Sequence, residues 1–142
     1  LSELAVDLAE KSAALRNSLP GAIAAALAGL VRTANSHYSN LIEGHDTHPI
    51  DIERAMKDDY SANAEQHNLQ LEAKAHVAVQ QWIDEGGLSG RAVSPDGISE
   101  IHKRFGDLLP PELLTVEDPE TGETLEVIPG RLRERDRAPV MR

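Results

Sequence analysis

The chain has 142 residues, of which 40% are hydrophobic and 3% aromatic, with a net charge of −10 and no cysteine. A core must therefore come from Leu, Ile, Val and Ala, and disulfides and thiolate metal sites are excluded. The acidic balance argues against a nucleic-acid binder, which carries a basic footprint.

Residues 2–17 carry Leu4, Leu8 and Leu15 at near-helical spacing and predict a first helix. "SLPG" breaks it, and Pro20 suits the first turn of a second helix, where a fixed φ is tolerated and no N–H is needed. That second helix is predicted from Pro20 to Glu43. Ile23, Leu27, Leu30, Ala34, Tyr38 and Leu41 form one stripe, expected to be its buried face. Gly44 stops it, because glycine takes the left-handed C-terminal conformation without a Cβ clash.

Asp51–Met56 is predicted as a short helix and Ser61–Asp84 as a third long one. Leu71, Ala75, Ala78 and Trp82 form the stripe of the latter, widened by Val79 and Ile83. "EGGLSG" is a loop. Ser94 then caps a helix that starts on Pro95 and buries Ile98, Ile101, Phe105 and Leu108. Beyond Pro110-Pro111 the period changes, and "LLTVEDPETGETLEV" reads as a hairpin around a turn cluster. The expected fold is all-α: a bundle of about five helices over residues 1–136, with a small β-hairpin near the C-terminus. Residues 137–142 are expected to be a disordered tail. The end from Arg131 to Arg142 holds five arginines against Glu134 and Asp136.

Each helical residue turns by about 100°, so Glu43 lies about 180° and Ser39 about 140° from the stripe. Arg32 and Ser36 share that far side. Ser39 and Glu43, four apart, are surface neighbours, a polar pair expected to face away from the core. On geometry alone this is a solvated face ending in a glycine stop. Yet a glutamate in the last turn opposes the helix dipole, at a cost of a few tenths of a kcal/mol, which suggests another use for it.

"SNLIEG" resembles the inhibitory motif of Fic-family proteins, [Ser/Thr]-x-x-x-Glu-[Gly/Asn], with Ser39, Glu43 and Gly44 in the defined positions. "SHYSNLIEGHDT" is similar to the region that precedes the catalytic part in many Fic proteins. "NLQLEAKAHVAVQQWIDEG" and "ISEIHKRFGDLLP" resemble the helices that follow it, and "IPGRLRERD" a Gly-x-x-Arg stretch upstream of the active site. The resemblance implies a helical protein adenylyltransferase that moves AMP from ATP, with magnesium, to a protein hydroxyl. It also implies that Glu43 reaches into the phosphate cradle, pairs with its last arginine and keeps the γ-phosphate from its productive place.

The family's His-Pro-Phe loop is missing, since His48-Pro49 is followed by Ile50. No catalytic residue is therefore assigned, and the chain is expected to be inactive by itself. On this reading it is the amino-terminal regulatory part, a piece of a longer protein or a truncated one. The alternative is an antitoxin-like helical module that supplies the same helix to a Fic catalytic chain in trans. The partners implied are that catalytic half, in cis or in trans, and a protein target. Neither nucleic acid nor membrane is among them, and a homo-oligomer is compatible with either form. ATP and magnesium are not expected to bind this chain tightly alone.

His45 and His48 with Asp46 between them offer two imidazoles and a carboxylate, a thin set for zinc, which wants three or four ligands on a rigid frame. They are read as a polar loop and no metal site is assigned. His67, His76 and His102 sit singly on helices, exposed or half-buried. Neither Gly-x-Ser-x-Gly nor a phosphate loop occurs. No signal peptide or membrane span is recognised, the start on Leu1 points to a processed or shortened chain, and a cytoplasmic location is expected.

Overall fold

The computed structural model describes residues 2–118 and 121–132. The tail expected at 137–142 and most of the arginine-rich end lie outside them. Five helices follow in order: α1 (Ser2–Ser18), α2 (Gly21–Ile42), α3 (Pro49–Ala55), α4 (Ala64–Asp84) and α5 (Pro95–Asp107). A 3-10 turn, Pro111–Leu114, leads into a two-stranded sheet of β1 (Thr115–Glu117) and β2 (Thr124–Glu126). The helical bundle and the late hairpin agree with the reading of the sequence.

Pro20 stands just ahead of α2, at the cap rather than in the first turn; its carbonyl accepts the N–H groups of Ile23 and Ala24 at 2.9 and 3.0 Å. Asn63 caps α4 by accepting the Gln66 N–H, and Ser94 caps α5 by accepting the Gly97 N–H at 3.0 Å, with Pro95 as its first residue. Each side chain satisfies one of the N–H groups that a helix start leaves open.

Helix α4 is the axis of the molecule, packed against α2, α3 and α5. Gln70, Ala73, Ala75, Val77 and Val79 are buried along it, and Ala73 and Val77 meet Ile52 of α3 in the core. The fully buried Gln70 ties α3 and the segment before α4 to this axis. Its Oε1 accepts the Ser61 N–H at 2.7 Å, and its Nε2 donates to the carbonyls of Asp51 and Asp59 at 3.1 and 3.4 Å. A buried amide with its partners in place fixes the arrangement; one left without them would cost about 1–3 kcal/mol.

Two expectations about burial are overturned. Ile23, Leu27, Leu30, Tyr38 and Leu41, expected inside, are all exposed, Leu30 by 64% and Tyr38 by 62%. The polar side of α2 is the one that packs: Ser36 and Asn40 are buried, and Arg32 reaches Asp84 of α4 at 2.7 Å. Small side chains and polar pairs set this seam, with the Asn35 amide donating to Gln80 Oε1 at 3.2 Å. In α5 and its cap, Ile98 and Leu108 are likewise exposed, while Ile101 and Phe105 are half-buried. The residues of α5 that are buried are Gly97 and Gly106; a Cβ on Gly106 would lie 2.6 Å from Pro129, so this glycine lets the chain after the hairpin lie on the helix.

The strands pair antiparallel, with Val116 opposite Leu125 half-buried between exposed neighbours. Past the hairpin, the Gly130 N–H donates to His102 Nδ1 at 2.8 Å, fastening this end to α5. Among the described residues, α1 exposes nearly every side chain, Ala13 being half-buried. None of the described helices is long and apolar enough to cross a membrane.

Candidate functional site

The end of α2 is built by its own backbone. Gly44 has φ +84°, its N–H reaches the Leu41 carbonyl at 3.1 Å, and the His45 N–H reaches the Asn40 carbonyl at 2.8 Å. This pair of bonds is the Schellman ending, and it needs a residue without a Cβ penalty at the left-handed position. Glycine at 44 therefore has a structural task whatever else the motif does. The turn folds His45 back over the end of α2 and sends the chain toward Thr47. Thr47 is buried: its hydroxyl accepts from the Asn40 amide at 3.1 Å, and its carbonyl is bonded to His37 Nδ1 at 2.8 Å.

Helix α2 runs unbroken to Ile42, with Glu43 as its C-terminal cap. The Ser39 carbonyl accepts the Glu43 N–H at 3.2 Å. Ser39 is half-buried, and Glu43 and Gly44 are exposed. Contrary to expectation, the pair does not face away from the molecule. It lies on the side of α2 that packs on α4, and Glu43 stays exposed because it sits at the end of that seam.

What gathers at Glu43 comes from two other places in the chain. One donor atom each from Glu43, His45 and Glu72 lie within 4.8 Å of one another. His45 Nδ1 is 3.8 Å from Glu72 Oε2, too far for a hydrogen bond, and this buried nitrogen has no hydrogen-bond partner among the described residues. His76, one turn further along α4, is held below the usual histidine pKa because burial disfavours its charged form, with the Glu43 carboxylate pulling the other way. Its ring meets Phe105 edge-on at 6.3 Å.

The three polar residues of the loop, His45, Asp46 and His48, do not converge. His48 lies 3.8 Å from Asp46, both side chains well exposed, and His45 turns to Glu72 instead. Glu72 was missed because it is far away in sequence. The hint was its place on the α4 surface one turn before His76.

These groups can bind a proton or a cation. Two carboxylates repel a triphosphate, and Arg32, on the same side of α2, is already paired with Asp84. The residues at this site do not fit ATP, and no step of AMP transfer is assigned to them. No protein-family model, curated protein or solved structure matches the chain.

Proposed function

We propose that this chain is the regulatory part of a Fic-type protein adenylyltransferase and that Glu43 is its inhibitory residue. The observation that carries the reading is the motif Ser39-x-x-x-Glu43-Gly44 at the end of one continuous 22-residue helix, with the glutamate exposed. A carboxylate held there by a fixed turn can reach an arginine on another surface without rearranging its own helix. The apolar stripe on the opposite side of α2, from Ile23 to Leu41, is exposed and left for contact with something beyond the described residues.

In this reading ATP, magnesium and the target hydroxyl belong to a catalytic half that carries the His-Pro-Phe loop. Glu43 pairs with the arginine of its phosphate cradle, a charge-assisted contact worth roughly 1.5–3 kcal/mol. The same helix serves in cis or, as an antitoxin-like chain, in trans; tight association with a separate catalytic chain would mark the second form. The lack of cysteine suits the reducing cytoplasm, the compartment this reading assigns.

The test measures labelled AMP incorporation by the protein joined to its catalytic half, as wild type, Glu43→Gly and Ser39→Ala. Removing Glu43 frees the arginine, and incorporation rises about tenfold or more if about 1.4 kcal/mol of productive orientation is recovered. Ser39→Ala changes it less. Equal incorporation by all three proteins would reduce the motif to a helix ending in glycine.

A further inference from the structure

We propose that Glu43, His45 and Glu72 form a binding site for one divalent cation of the zinc class. The site shares Glu43 with the inhibitory reading but does not rest on it, since all three donors belong to this chain.

Three features carry it. The donor atoms converge to within 4.8 Å from three separate positions: the cap of α2, the turn after it, and the middle of α4. Zinc holds nitrogen and oxygen ligands at about 2.0–2.2 Å, so small side-chain rotations close the set around an ion. The frame is fixed on both sides, by the Schellman turn under His45 and by the part of α4 around Glu72, where Gln70, Ala73 and Ala75 are buried. Finally, His45 Nδ1 is a buried polar atom with no hydrogen-bond partner among the described residues, an arrangement that costs free energy unless the nitrogen has something to bind.

The chemistry of the donors selects the ion. One imidazole with two carboxylates balances a 2+ charge and favours zinc over magnesium or calcium, which prefer oxygen alone. With Glu43 exposed, one side of the ion faces solvent, as in zinc sites that keep an open position for water.

The purified chain is titrated with zinc chloride and with magnesium chloride in a calorimeter at neutral pH. The proposal expects one zinc per chain and much weaker binding of magnesium. Zinc affinity falls by about tenfold or more in His45→Ala, Glu72→Gln and Glu43→Gln, and stays unchanged in His48→Ala. Glu72→Gln and Glu43→Gln keep the side-chain shape, and a far-ultraviolet spectrum shows whether each variant is folded. Cobalt gives a second readout, since its visible bands report inner-sphere nitrogen and oxygen ligands and are lost in His45→Ala. Zinc bound equally well by His45→Ala and Glu72→Gln, no zinc bound by the wild type, or loss of binding in His48→Ala would each overturn the proposal.

Discussion

Helices α2 and α4 are nearly the same length, 22 and 21 residues, yet they are used in opposite ways. Helix α4 is surrounded by α2, α3 and α5 and buries small residues along its length, with Gln70 supplied with partners on both ends of its amide. Helix α2 is more apolar but gives the fold its polar side. At the seam between the two, Arg32 Nε, Ser36 Oγ and Gln80 Nε2 are buried without a hydrogen-bond partner among the described residues. Such atoms carry a cost that the fully partnered Gln70 beside α3 avoids. The difference teaches that apolar periodicity identifies a helix and its stripe without saying where the stripe goes.

The strongest way to sharpen this contrast is a cavity in the better-packed region. Ile52→Ala, at a position with no exposure, should cost about 2–5 kcal/mol in urea unfolding. Next comes the buried amide. Gln70→Leu removes the acceptor of the Ser61 N–H and the donor to the Asp51 carbonyl, and should cost about 1–3 kcal/mol by the same assay. At the end of α2, Gly44→Ala forces a Cβ into the left-handed region and should cost roughly 1–2 kcal/mol, with no loss of helix elsewhere.

A smaller effect is expected from pH. Burial lowers the folded-state pKa of His76, so the unfolded chain binds the proton more readily. Stability from this group is present above the usual histidine pKa of about 6.5 and declines as pH falls through the window below it. The groups to account for are Glu43, whose charge opposes the shift, and the Phe105 ring against the imidazole. Melting curves between pH 7.5 and pH 5 of about that range, without divalent cations, should show a steeper loss in the wild type than in His76→Gln. Smallest of all, Leu30→Ala on the exposed stripe should change stability by less than about 0.5 kcal/mol. A loss near that of Ile52→Ala would mean that the stripe is covered.

Much of the fold was legible because local signals carried it. Pro95 with Ser94 marks the start of α5, Gly44 the stop of α2, and the turn cluster between β-formers the hairpin. Each depends on a few neighbouring residues and on backbone conformation alone. The orientation of α2 was not legible. Its stripe of Ile23, Leu27, Leu30, Tyr38 and Leu41 outweighs Ser36 and Asn40 in any count of hydrophobicity, but the partner surface on α4 offers Gln80 and Asp84 to the polar side. At the site, Ser39, Glu43 and Gly44 were identified by motif and the glycine's task by helix-ending chemistry. Glu72 was not, because nothing near it in sequence points to His45. The contact between them depends on how α2 and α4 are rotated against each other.

That rotation also decides where Glu43 points, and it can be measured directly. The chain has no cysteine, so single cysteines can be placed on either side of α2 and their reaction with a thiol reagent timed. Leu30→Cys and Leu41→Cys should react at nearly the rate of the unfolded chain, and Ser36→Cys should be strongly protected under native conditions. Protection of Leu30→Cys and Leu41→Cys together with rapid labelling of Ser36→Cys would contradict the account, because α2 would then turn its apolar stripe inward and carry Glu43 and His45 away from Glu72.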